Sequence, residues 1–330
     1  MIKAQLGFIN RQDEVKYLVE GNRTLLREYI HDLEEIFKSD VRGPLTVLEI
    51  NRENIRSNLQ LYYNAKKDTK DIGKYYKFKA DHLSEEQLFS LFHELVKRTH
   101  KHQLPYYMTK DQYLYTWVDL QPDGSVKSIY SGEKRDPRNM IQEDFETIKK
   151  KHHEFQWLLH HANESEEIAD KMRNIDDLLK FNTEHIVPQS WYSSREPMKG
   201  DLHHLFVCQP DCNTARSNYP YDDFTFYVPE SPDEKIQNRC GVVTGQRFEP
   251  EDGKGIVARS MMYFLLRYPK AIKKSFLKQI DIALLKRWNE RFPVTLYEKH
   301  RNQAIYRIQG NRNPFIDFPE LAEKVRFPVH

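Results

Sequence analysis

Between Phe181 and Asn218 the chain reads FNTEHIVPQSWYSSREPMKGDLHHLFVCQPDCNTARSN, and most of its chemistry is concentrated there. A carboxylate stands next to a histidine (Glu184, His185). The segment turns at Pro188, Pro197 and Gly200, then returns with Asp201, His203, His204, Asn213, Arg216 and Asn218. A neutral imidazole suits proton abstraction near neutral pH. Glu and Asn oxygens are hard donors for Mg²⁺ or Ca²⁺. Arginines hold phosphate oxygens through charge-assisted bonds. The set fits metal-assisted phosphodiester hydrolysis, with His185 as general base and Glu184 and Asn213 holding one divalent cation. Such a site reads no bases, so low sequence specificity is expected.

Taken singly, each residue has a plainer reading. A Glu-His pair is common in structural settings. Asn213 could cap a helix beginning at Thr214. Arg216 could pair with Asp222 or Asp223, and His203 or His204 could merely orient a neighbour. The combination carries the argument.

The elements that must position these groups follow from spacing. Thr183 to Val187 reads as a strand. Residues 112–131 read as a β-hairpin turning at Asp123-Gly124, with Tyr113, Tyr115 and Trp117 alternating in its first strand. Residues 8–38 and 51–104 read as helices, with a break at Gly21-Asn22 and a charged, poorly patterned piece at 65–74. Ser84 to Gln87 has capping-box spacing. The stretch 140–180 reads as helical or mixed, and its histidines (His152, His153, His160, His161) as a solvated face. A helix follows Gly253 and Gly255 and ends at Tyr268-Pro269. Residues 271–291 read as one further amphipathic helix.

Bulk properties bound the reading. With 330 residues, 39% hydrophobic and 30% charged, the chain is globular rather than disordered. No apolar run reaches about 18 residues, so no membrane helix is expected. The N-terminus lacks a signal-peptide core, which predicts a cytoplasmic protein or an export route the sequence does not display. The net charge of +2 hides an asymmetry. Residues 251–330 hold 16 Lys and Arg against 8 Asp and Glu, and the remainder 35 against 41. The basic end could face phosphate or simply solvent. Cys208, Cys212 and Cys240 are an odd set: buried thiols, one disulfide with a thiol left over, or a zinc site lacking a nameable fourth ligand all remain open.

Six motifs, in order, resemble the endonuclease I family of ββα-metal (His-Me finger) nucleases. They are EHIVPQSW (184–191), DLHHLF (201–206), CNTARSN (212–218), FEPEDGKGIVAR (248–259), YFLLRYP (263–269) and RWNERFPVTLYEKHRNQAIYRIQGNRNPFID (287–317). The hairpin LYTWVDLQPDGSVKSIYSG resembles the family's early strands. The resemblance spans roughly 57–326. It implies an α+β fold, a ββα-metal core embedded in a mostly helical single domain over 56–330, with 1–55 as a helical N-terminal extension. It implies largely sequence-non-specific cutting of DNA, RNA or both to leave 5′-phosphates, with Mg²⁺ (or Mn²⁺ or Ca²⁺) as cofactor and a monomer without protein or membrane partners. Carried over by motif, His185 and Arg259 are catalytic and Glu184 and Asn213 are metal ligands. Arg195, Arg216, Arg301, Gln309 and Arg312 contact nucleic acid, and Glu298 lies near the cleft. The chain departs from the pattern in its short Tyr192–Lys199 loop, where Arg195 substitutes for an arginine that relatives carry on a longer insertion. It also lacks a visible leader and a full set of disulfide cysteines. A catalytically inactive nucleic-acid-binding module and a metal-dependent phosphatase are the rival readings.

Overall fold

The computed structural model describes residues 23–24, 26–31, 33–34, 41–77, 83–161, 165–227 and 239–328. The architecture is helix-rich α+β, with three two-stranded antiparallel sheets among the described residues. The chain divides into two compact units: residues 1–43 with 142–181, and residues 44–141 with 182–330.

In the first unit the described residues between 23 and 34 are helical and bury Leu26, Ile30 and Leu33. Residues 1–22 of the expected N-terminal helix, with its break, lie outside the described residues. Helix α4 (Pro137–His161), which belongs to this unit from Gln142 onward, buries Phe155 and Leu158 on one stripe, and α5 is Ser165–Leu178. His153, His160 and His161 are exposed, as a solvated face requires.

The second unit holds the remaining elements. Helices α1 (Arg42–Ser57), α2 (Ala65–Tyr75) and α3 (Glu85–Thr99) come first. The charged piece at 65–74 is thus a regular helix, capped by Asn64, whose side chain accepts from the Lys67 amide. Ser84 and Gln87 form the expected capping box of α3. The expected hairpin is only half present. Thr109–Val118 winds as a wide π-type helix rather than a strand. Its buried apolar and aromatic residues, Leu114, Tyr115 and Val118, follow helical spacing, and the alternation of Tyr113, Tyr115 and Trp117 is coincidental. The turn at Asp123-Gly124 is real, with Gly124 at φ +76°. It leads to β1 (Val126–Lys127), which pairs with β2 (Lys134–Arg135).

Strand β3 (Thr183–His185) pairs with β4 (Leu205–Val207) in the register Thr183↔Val207, Glu184↔Phe206 and His185↔Leu205. Helix α6 (Pro210–Arg216) follows directly, with Pro210 at its first turn. A third hairpin, β5 (Gly241–Thr244) with β6 (Arg247–Pro250), leads to α7 (Lys254–Arg267). All of α7 except Ile256 is buried, the mark of a helix at the centre of a core. The expected single helix over 271–291 is instead a short turn, Lys274–Leu277, and α8 (Ile282–Arg291). The break falls where the Asp281 side chain caps α8 by accepting from the Leu284 amide. Helix α9 (Leu296–Gln309) ends at Gly310, φ +92°. No helix among the described residues is long and apolar enough to cross a membrane.

Candidate active site

The β3–β4–α6 run brings Glu184, His185 and Asn213 together. Asn213 lies inside α6 rather than capping it, and its Nδ2 donates to the Thr183 carbonyl at 2.7 Å. That bond commits the amide nitrogen to β3 and leaves Oδ1 as the group's acceptor.

His185 is 5% exposed and lies across a fixed partner: Nε2 is 2.8 Å from the Lys199 carbonyl. A carbonyl only accepts, so Nε2 carries the proton and Nδ1 holds the lone pair. The Gln189 amide nitrogen, one turn on, sits 3.3 Å from that Nδ1. Burial, reinforced by neighbouring His204, pushes His185 well below the usual imidazole range, so it is neutral. The Tyr106 ring lies 5.1 Å away and the His204 ring 5.5 Å. Gln189, Lys199 and Asn213 are half-buried and form the wetter edge of the site.

Glu184 is held from behind. Tyr130 donates to its Oε1 at 2.7 Å, and Arg216 Nη1 lies 3.3 Å from the same oxygen. The Tyr130 and Tyr221 hydroxyls are 2.7 Å apart, and Arg216 Nη2 and the Tyr221 hydroxyl both donate to the Ile186 carbonyl, at 2.8 and 3.2 Å. Burial, then the Glu184 charge, hold the Tyr130 phenol far above its ordinary range, so it stays a donor. Arg216 therefore pairs with Glu184, not with Asp222 or Asp223.

The remaining sequence candidates divide sharply. Arg195 is exposed, with Nε donating to the Tyr192 carbonyl at 3.2 Å. Arg259 is buried and forms a two-pronged pair with Glu298 (2.6 and 3.0 Å), while Nη1 reaches the Asn289 side chain and the Phe292 carbonyl. Its donors meet partners on α8 and α9 and in the turn between them. Arg301 donates to the Leu202 and Leu205 carbonyls, pairs with Asp119 and lies 3.8 Å over the Phe206 ring. Gln309 accepts from the Leu202 amide and donates to Asp201. Arg312 is bound to Asp317 and Asp68. These three are buried, as is Arg216, and each is engaged by neighbouring backbone or side-chain groups of the fold.

Of the two central histidines, His204 is fixed on the Met198 carbonyl and His203 faces the Asn311 carbonyl at 3.3 Å. Asp201 takes bonds from Tyr263, Tyr268 and Gln309 at 2.7, 2.9 and 3.0 Å. It thereby ties α7 and α9 to the loop whose Lys199 carbonyl holds His185. Cys212 and Cys240 are joined in a disulfide and Cys208 is a buried thiol, so plain thiols describe Cys208 alone.

Sequence reasoning missed Tyr130, Gln189 and the Lys199 carbonyl as site groups. Gln189 had a signal, since a Pro-initiated turn places it back over His185. Tyr130 lies 54 residues from Glu184 and had none.

A family model described as Endonuclease I matches residues 88–320. An extracellular ribonuclease of Bacillus amyloliquefaciens is 30% identical over 177 residues, covering 49% of this chain and 59% of that protein. A periplasmic deoxyribonuclease of Aeromonas hydrophila is 30% identical over 125 residues (36% and 48%). Endonuclease-1 of Buchnera aphidicola subsp. Baizongia pistaciae is 30% identical over 125 residues (37% and 47%). The chain thus spans about half, and at most 59%, of the length of these relatives.

Proposed function

Because the chain belongs to the endonuclease I family, we propose that it is a divalent-cation-dependent endonuclease hydrolysing phosphodiester bonds of DNA or RNA with little sequence preference. One observation carries the reading: a histidine with a carbonyl-fixed tautomer lies on β3 next to a buried carboxylate, and α6 presents an amide to the same strand. We read β3, β4 and α6 as the ββα-metal finger.

The donor set fits a hard cation. Glu184 offers a carboxylate whose plane is fixed by two donors, and Asn213 offers Oδ1, because its nitrogen is spent on Thr183. Mg²⁺ is the natural occupant, and Mn²⁺ or Ca²⁺ share its preference for oxygen. When bound, the cation supplies charge withdrawal from the phosphate and stabilisation of the leaving oxygen.

The chain's own residues do the rest. The Lys199 carbonyl holds Nε2–H and so points the Nδ1 lone pair of His185 at the water to be deprotonated. Burial keeps that imidazole neutral until it takes the proton, and the carbonyl then stabilises the imidazolium. Gln189 covers Nδ1 in the resting site and yields to the water. Of Arg195, Arg216, Arg301 and Arg312, Arg195 is the one exposed to meet a phosphate. Products carry 5′-phosphates, since the 3′ oxygen leaves.

The test is to treat supercoiled plasmid and total RNA with the protein in Mg²⁺ or in EDTA, then offer the DNA products to ligase. Cutting only with Mg²⁺, with ends that ligate directly, is expected. Cutting in EDTA, or faster turnover of a small phosphoester than of polynucleotide, refutes it.

A further inference from the structure

The site holds a single acidic ligand, and that ligand's charge is already answered. Arg216 Nη1 is 3.3 Å from Glu184 Oε1, and the two side chains are 0% and 5% exposed. At such burial the attraction between opposite charges is weakly screened. Asn213 is uncharged, His185 sets one ring nitrogen against the Lys199 carbonyl and the other against the Gln189 amide nitrogen, and Tyr130 meets Glu184 as a hydroxyl donor. Among the described residues no group of three or more His, Cys, Asp or Glu side chains could hold a metal ion. The protein alone therefore presents a nearly charge-neutral cradle to a doubly charged cation. Magnesium sites of this economy take the missing negative charge from substrate phosphate.

We propose that the Glu184–Arg216 pair makes this a half-site, completed by the nucleic-acid backbone, so that divalent cation and polynucleotide bind cooperatively. The inference rests on the metal assignment proposed above. Arg216 lowers the affinity of the free protein for the cation, while Tyr130 fixes the carboxylate without changing its charge. The free protein then carries little cation, and the site assembles where a phosphate is present. Linkage requires the effect to be mutual: the cation must tighten the polynucleotide by the same factor.

The test is direct Mn²⁺ binding, read by electron paramagnetic resonance, to the His185→Ala protein, which removes the proposed base. Binding is measured alone, with a short single-stranded DNA, and with the same DNA carrying an uncharged methylphosphonate backbone. Charged DNA should tighten Mn²⁺ by about tenfold or more, within the range of roughly 5–150-fold usual for coupled sites. Methylphosphonate DNA should leave Mn²⁺ binding unchanged. In the same background Arg216→Gln should tighten Mn²⁺ binding to the free protein and shrink the coupling. Equal Mn²⁺ affinity with and without charged DNA overturns the proposal, as does equal coupling to both backbones. The backbone comparison needs no change at Arg216 and stays decisive should Arg216→Gln not fold. Glu184→Gln in the same background separates the two failures: binding must vanish there, and Mn²⁺ retained would refute the metal assignment itself.

Discussion

The Lys199 carbonyl decides which nitrogen of His185 is basic, and a phenol and a guanidinium decide how Glu184 lies. These are small geometric facts with large consequences, because partners that orient metal ligands commonly change affinity or activity by roughly 10–100-fold. Tyr130→Phe should raise the Mg²⁺ concentration needed for half-maximal cleavage by about tenfold or more, with the circular dichroism spectrum unchanged. An unmoved Mg²⁺ titration would remove Tyr130 from the site. Asn213→Ala should shift the same titration in the same direction. Maximal cleavage should return at high Mg²⁺ if, as proposed, that residue holds the cation and moves no proton. Glu184, His185 and Asn213 were legible because residue type and spacing name them. Tyr130 was not, because its relation to Glu184 exists only after β1 and β3 are placed.

Arginines show how charge misleads at the scale of elements. A basic C-terminal stretch reads as a phosphate-binding face, yet Arg259, Arg301 and Arg312 are among the largest fully buried side chains. Each fastens one helix or loop to another, and sequence does not distinguish a cation spent on a buried carboxylate from one facing solvent. Removing one partner of such a pair strands the other. Arg259→Ala leaves Glu298 buried without its guanidinium and should cost about 3–5 kcal/mol, read from the urea midpoint. A loss below about 1 kcal/mol would show that Arg259 is not the buried strut described above. Backbone geometry gives a second check. A Cβ at Gly310, φ +92°, would sit 2.6 Å from the Thr99 carbonyl. Gly310→Ala should therefore destabilise by roughly 1–3 kcal/mol. The π-type run at Thr109–Val118 escaped the sequence because alternating aromatics imitate a strand.

Over the whole molecule, buried histidines set the response to acid. Burial pushes His203 down to about 4, against the pull of Asp201, and pushes His100 and His204 down as well. The unfolded chain takes up these protons near pH 6.5. Between 6.5 and 4 the unfolded state binds more protons, so stability is full above 6.5 and falls as the pH drops. His203 alone contributes on the order of 3 kcal/mol to that loss. Denaturant midpoints that hold constant from pH 7 to pH 4.5 would contradict it. The Cys212–Cys240 disulfide closes a separation of 28 residues around the segment after α6. The helix-rich α+β class and the order of motifs were legible in sequence, because both depend on local pattern. The cysteine pairing and the division into two units were not, since both are set by contacts between distant segments.

The most direct measurement is single-turnover cleavage of plasmid DNA and total RNA in saturating Mg²⁺ by the native protein and by His185→Ala. The variant should keep its affinity for polynucleotide and lose cleavage by roughly 10²–10⁴-fold, the contribution of a positioned general base. Cleavage by His185→Ala at the native rate would contradict the assignment of this histidine, and with it the reading of the β3–β4–α6 site as the place where phosphodiesters are cut.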